Sequence, residues 1–186
     1  MYHTLVAYVE DKPGVLNRVA SLFRRRAFNI ESLAVGHTDQ PGVSRMTLVV
    51  DTDELGARRL EANLYKLVNV LRVEDVTGAP SVVRDLALVK VAVNSDTRAQ
   101  IIQLCEVYRA RVVDVTQESL IIEITGAEEK LESLVDVLRP FGIIEMVRTG
   151  VVAMRRGPAA INPNPPLVAA QVPAEAVHDA AVSYSV

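Results

Sequence analysis

Apolar and polar residues alternate from the start of the chain. Leu5, Ala7 and Val9 share one face and Thr4, Val6 and Tyr8 the other, which predicts a strand over residues 2–9 with one face more apolar. The period then becomes helical: Val15, Leu16, Val19, Leu22 and Phe23 fall on one side of a helix over 14–26. Residues 29–36 return to alternation, with Glu31, Leu33 and Val35 opposite Ile30, Ser32 and Ala34. Pro41 and Gly42 suit the central positions of a type II turn, which sends the chain back into a strand at 43–51. Asp51, Thr52 and Asp53 are capping candidates for a second helix carrying Ala57, Leu60, Leu64 and Leu67, and residues 70–76 close the set as a strand. The order β-α-β-β-α-β predicts two helices on one face of an antiparallel sheet, with the other face left for water or a partner.

The same order recurs after Gly78-Ala79-Pro80-Ser81. A strand at 86–93 leads to a helix at 96–109 with Ile101, Leu104, Cys105 and Tyr108 on a stripe. A hairpin of 111–115 and 120–125 follows, then a helix at 127–138, a strand at 143–147 and an apolar extension at 151–154. The halves share almost no residue identity, so the repeat is one of architecture. The expected class is α+β, two tandem ferredoxin-like βαββαβ domains at 1–78 and 83–156 joined by a linker at 79–82. From 157 to 186 the chain holds five of its nine prolines, many alanines and only Glu175 and Asp179 as charges, a composition that predicts a poorly ordered tail.

Composition narrows the function classes. Hydrophobic residues make up 49% of the chain, enough for real cores, and the net charge of −3 gives no reason to expect nucleic acid or an anionic membrane. The single Cys105 cannot form an intrachain disulfide, and its spacing marks it as a helix-face packing residue. No apolar run approaches the ~20 residues that cross a bilayer, and the N-terminus moves straight into a strand pattern, so a cytoplasmic location is expected. There is no glycine-rich dinucleotide or phosphate loop and no nucleophile elbow. His3, His37 and His178 are scattered and no paired-cysteine or paired-histidine spacing occurs, so neither a metal site nor catalytic residues are expected. Arg24-Arg25-Arg26 closes the first helix, where cations suit the negative dipole end, and reads as a solvated terminus.

The junction Glu10-Asp11-Lys12-Pro13-Gly14-Val15-Leu16 is the stretch with the clearest chemistry. Asp is a capping residue, Pro fits a first helical turn, and Gly admits close backbone approach. A helix start of this kind offers free N–H donors at a partially positive end, a seat for a carboxylate. An idle capped turn has the same composition.

This junction, together with Asn29-Ile30-Glu31-Ser32-Leu33, Ser44-Arg45-Met46-Thr47, Lys66-Leu67-Val68-Asn69-Val70-Leu71, Leu88-Val89-Lys90-Val91, Val113-Asp114-Val115-Thr116 and Val147-Arg148-Thr149-Gly150, resembles the regulatory small subunits of acetolactate synthase (acetohydroxyacid synthase). The likeness runs in collinear order over about residues 2–157. It implies a non-catalytic chain with an N-terminal ACT domain and a C-terminal ACT-like domain, bound to a separate large catalytic subunit. Thiamine diphosphate, Mg and FAD are expected in that partner and no cofactor in this chain. The resemblance further implies activation of the partner and feedback inhibition by branched-chain amino acids, chiefly valine, held between paired ACT domains of a homodimer. The positions matching the effector motif are Asp11, Gly14, Val15, Leu16, Asn29 and Ile30. In the implied arrangement the carboxylate lies on the N–H groups of 14–16, Asp11 holds the ammonium, and Asn29 comes from the facing subunit.

Two departures stand out. Ala27 occupies a helix-end position where the family commonly has Gly, and a left-handed backbone there costs Ala roughly 1 kcal/mol, so a differently built helix end is expected. The Pro/Ala tail lies outside the shared region. Candidates for the catalytic-subunit contact are Ser44-Arg45-Met46 and the exposed helix faces. A free-standing amino-acid sensor acting on another protein, and an enzyme in its own right, are the competing readings.

Overall fold

A computed structural model describes residues 1–157; the expected disorder of the Pro/Ala tail falls outside them. Strand β1 (Tyr2–Glu10) is the spine of the first half. It pairs antiparallel with β3 (Val43–Asp51) from Tyr2 opposite Asp51 to Glu10 opposite Val43, and on its other side with β4 (Val70–Asp75). Strand β2 (Ser32–His37) is an edge, and the sheet order is β2-β3-β1-β4. Helices α1 (Val15–Arg25) and α2 (Glu54–Leu64) cover one face, where Leu5, Ala7 and Val9 meet Val19, Phe23, Leu60 and Leu64 in a closed core. Asp53 caps α2 through a 2.7 Å bond from the Gly56 amide, as its sequence position suggests.

The second half repeats this arrangement. Strands β5 (Ser81–Ala92), β6 (Arg111–Val115), β7 (Ser119–Gly126) and β8 (Ile143–Arg148) take the order β6-β7-β5-β8, the same permutation as the first. Helices α3 (Ser95–Tyr108) and α4 (Glu128–Leu138) bury Ile101, Cys105, Leu131, Leu134 and Leu138 against Ala87, Val89, Val91, Leu120, Ile122 and Ile124. Both halves are ferredoxin-like βαββαβ units. Cys105 is a buried packing residue, and burial raises its thiol pKa.

Several elements differ in extent from the periodicity. Strand β2 begins at Ser32 and α2 ends at Leu64, so Leu67 packs on the core from the following loop. Strand β5 starts at Ser81, five residues before the alternating run beginning at Leu86, and its first residues pair with β9 (Val152–Arg155) from Ser81 opposite Arg155 to Arg84 opposite Val152. This ribbon reaches the helix-free face of the first sheet. Ala153 packs there with Val6 and Val76, and Tyr8 borders the cluster. Val6, on the more polar side of the alternation, is therefore as fully buried as Leu5.

The Arg45 guanidinium spans the same seam: it donates to the Thr47 hydroxyl at 3.1 Å and to the Ala153 carbonyl, with its centre 5.8 Å from the Tyr8 ring. Arg155 pairs with Glu74 alongside it. Ser44 and Met46 are buried as well, so Ser44-Arg45-Met46 is not a surface on which a separate subunit can dock. Met46 lies in the core under the helices, and Arg45 is taken by Ala153 of the chain's own β9.

The end of α1 is built the expensive way. Ala27 adopts φ 55°, and the Phe28 amide bonds the Phe23 carbonyl at 3.1 Å while the Ala27 amide bonds Arg24 at 3.2 Å, the paired bonds of a Schellman motif. The expectation of a different construction at Ala27 is thus overturned. Phe28 stacks edge-on against Phe23 with ring centroids 6.5 Å apart, and this apolar clasp offsets the strain in Ala27.

Candidate functional site

The β1–α1 turn is held from two sides. The Asp11 amide bonds the Gly42 carbonyl at 2.8 Å, tying it to the β2–β3 turn, and the Glu10 amide bonds Asn69 at 2.9 Å, tying it to the loop before β4. The Asn69 side chain bridges further, accepting from the Arg18 guanidinium and donating to the Glu10 carboxylate. That bond and Lys12, 3.1 Å away, lower the Glu10 pKa. Gly42 has φ +78° and closes the turn with a 3.2 Å bond from the Val43 amide to Gln40, consistent with the type II geometry that Pro41-Gly42 suggests.

Helix α1 then starts without a cap. Gly14 is the N-cap with φ +84°, and no side chain bonds the first turn. Asp11 does not cap, as its type suggests it could; its carboxylate lies 3.3 Å from His37 Nδ1 at the end of β2. Pro13 falls before the helix, not in its first turn. Gly14 is required by its left-handed backbone and not by crowding, since a Cβ there would meet nothing within 4 Å. The Val15 amide folds back to the Lys12 carbonyl at 3.4 Å, and the Leu16 and Asn17 amides have no side-chain acceptor. There is no acidic residue in this first turn to neutralise the positive helix end.

The sequence-derived residues divide into two groups. Asp11, Gly14 and Leu16 share the turn and are exposed, Leu16 at 45%. Val15 belongs there by its backbone only, because its side chain is buried in the core. Asn29 and Ile30 lie elsewhere. His37 pairs with Ser44 and Ser44 with Val9, beside Asp11; Ser32 pairs with Val49 and Val49 with Thr4, at the far end of the sheet. The length of β2, ~17 Å at about 3.3 Å per residue, separates the two groups within one chain. Asn29 is exposed and bonds Glu31, while Ile30 is half-buried against the core.

Residue patterning missed a second polar locus just beyond Ile30. Glu31, Ser32 and Leu33 face Asp85, Glu128, Arg148, Thr149, Gly150 and Val151 across a cavity of about 340 Å³. Asp85 is 3% exposed and takes two bonds of 2.7 Å from the Arg148 guanidinium and one of 3.1 Å from the Thr149 hydroxyl. The Val151 amide bonds Ser32 Oγ at 2.8 Å, so the second domain grips the start of β2 directly. Val147-Arg148-Thr149-Gly150 stood out in the sequence as a segment, but nothing in its spacing pointed to Ser32.

The ferredoxin-like βαββαβ domain at the N-terminus is of the ACT class. Residues 5–72 match the family described as "AHAS small subunit-like ACT domain", and residues 84–157 match "Small subunit of acetolactate synthase". The acetolactate synthase small subunit of Mycolicibacterium smegmatis is 52% identical over 160 residues, covering 86% of this chain and 94% of that one. A probable acetolactate synthase small subunit of Archaeoglobus fulgidus is 48% identical over 157 residues, with 84% and 98% covered. The crystal structure of the acetolactate synthase small subunit from Thermotoga maritima superposes with a TM-score of 0.79 at 40% identity, covering 86% of this chain and 99% of that one. The chain belongs to the acetolactate synthase small-subunit family.

Proposed function

We propose that this chain is the regulatory subunit that activates a thiamine-diphosphate-dependent acetolactate synthase large subunit and makes it sensitive to valine. The observation that carries the effector site is the uncapped start of α1, where the Leu16 and Asn17 amides lie at a positive helix end beside an exposed leucine. A free amino acid supplies the carboxylate that end lacks. Asp11 offers a counter-charge for the ammonium and Leu16 an apolar contact.

The separation of Asn29 and Ile30 from this turn supports a site shared by two copies. An isologous pair meeting along β2, with the two edges antiparallel, brings the Asn29 end of one strand to the His37 end of its mate. Each two-fold dimer then holds two equivalent sites, and valine shifts the enzyme only by binding the inhibited arrangement more tightly. A small apolar pocket separates side chains differing by one methylene by only ~1–3 kcal/mol, so leucine and isoleucine are expected to act more weakly.

The test is an acetolactate assay of a catalytic subunit with and without this chain, titrated with valine. Stimulation that valine reverses supports the reading; valine binding without any effect on the enzyme supports a free-standing sensor instead. Gly14→Asp places a negative charge on the seat and is expected to abolish valine inhibition while stimulation persists. Gly14→Ala carries the same left-handed strain without the charge and is the control. Unchanged inhibition in Gly14→Asp removes the turn from the site.

A further inference from the structure

Five of the ten lysines and arginines of the N-terminal domain lie at one end of its helix layer. Arg24 and Arg25 close α1, Arg26 follows, and Arg59 and Lys66 come from α2 and the loop behind it. Arg26, Phe28, Arg59, Asn63 and Lys66 line an open cavity of about 420 Å³ with no carboxylate in its wall. Arg26 donates to the Asn63 side chain at 3.2 Å, and Asn63 is itself anchored on the Arg59 carbonyl at 2.7 Å. Phe28, pinned against Phe23, forms a rigid floor. Among the described residues none of these five cations forms an ion pair within 4.0 Å.

Helix ends do not account for this charge. The C-termini of α1 and α2 each carry roughly −0.5 of a charge, about one in total against five cations. The excess is local: α1 holds Arg18, Arg24 and Arg25 with no carboxylate, while α4 holds Glu128, Glu129, Glu132 and Asp136 against Lys130. A chain of net charge −3 with five of its twenty cations at one exposed corner suits an acidic protein surface better than nucleic acid, which the acidic helix layer of the second domain would repel. All five cations lie on α1, α2 and the loops that follow them, and three of them line the cavity.

We propose that this basic corner is the docking surface for an acidic face of the catalytic subunit. The assignment rests on the regulatory reading above. It also fits the loss of the competing candidate, since Met46 is buried under the helices and Arg45 is held by Ala153 of β9.

The experiment compares the full chain with its Arg24→Glu/Arg25→Glu and Arg24→Gln/Arg25→Gln variants, measuring association with the purified catalytic subunit from low to high salt. Thermal melts check folding, and calorimetry measures free valine. Association is expected to weaken about tenfold or more in the Glu variant and less in the Gln variant at low salt, with the wild-type salt dependence flattened in both. Valine affinity is expected to stay unchanged. Equal association of all three proteins, a salt-insensitive wild type, or variants that lose valine binding as well would overturn the assignment. Binding of inorganic phosphate at this corner with subunit association unaltered would make it a small-anion site and overturn it too. A wild-type chain that never associates with the catalytic subunit overturns the regulatory reading along with it.

Discussion

The first helix of each repeat follows the first strand in the same way, yet the two helices begin differently. In the second domain Asn94 accepts from the Asp96 and Thr97 amides at 2.9 and 2.8 Å, and the Asn94 amide donates to Thr97 Oγ1 at 3.0 Å, a complete capping box. In the first domain the helix starts on left-handed Gly14 with no side chain across its end. One topology thus carries one helix N-terminus sealed by its own sequence and another without a side-chain cap. The other ends match: Arg109 at φ 52° repeats Ala27 at φ 55°, and the Ala110 amide bonds Cys105 at 2.8 Å as Phe28 bonds Phe23. What distinguishes the domains is therefore the cap, not the helix.

The largest effect of a single change is expected at the seam that joins the two. A Cβ on Gly150, at φ +84°, would lie 2.8 Å from Ser32 Oγ and 3.4 Å from the Leu33 carbonyl. Gly150→Ala is expected to cost about 2 kcal/mol from backbone strain and displacement of β2. Calorimetry checks this: the wild type should melt in one transition and the variant earlier or in two, and a variant melting like wild type would show the grip on β2 to be slack.

Removing the cap of the second domain is the next step down. Asn94→Ala exposes the α3 amides and is expected to cost about 1 kcal/mol, measured by urea unfolding. Valine inhibition should be unaltered, because this helix end is not the effector seat; a changed inhibition constant would erase the contrast between the domains.

The helix ends offer a change of opposite sign. Ala27→Gly relieves the left-handed strain and is expected to stabilise by about 1 kcal/mol, with Phe28 still packed on Phe23. Loss of stability in the same unfolding assay would mean that Ala27 is not strained.

The smallest effect belongs to Glu61, whose counterpart in the second domain is absent. Burial, then the charges of Asp75 and Glu74, raise its carboxyl above the usual 4.5. The folded state thus holds this proton more tightly than the unfolded chain, and above the folded pKa the native charge is a penalty. Glu61→Gln is expected to raise the melting temperature slightly at neutral pH, with the gain fading as the pH falls through the folded pKa and gone below the unfolded value. A gain that persists in acid would assign the effect to something other than titration.

Much of this architecture was legible from residue spacing. The order of elements, both cores, the Asp53 cap and the Pro41-Gly42 turn follow from local rules, because a helix or strand announces its buried face by period alone. The β1–α1 turn was legible in composition but not in mechanism. Asp11 has the type of a cap and Pro13 that of a first-turn residue, but Asp11 is turned to Gly42 and His37 instead and Pro13 falls before the helix.

By itself the sequence determined two ferredoxin-like units, a glycine-started helix after the first strand, and the absence of recognisable catalytic motifs. The tertiary structure alone decided what covers the second face of β1, where β5 begins, and which residues join the domains. Arg45 meets Ala153 across 108 positions and Ser32 meets Val151 across 119. Period-two alternation states which side of a strand is apolar, but not what lies against it. Val6 looks like a surface valine until β9 closes over it, and the length of β2 is what keeps Asn29 away from the Asp11 of its own chain.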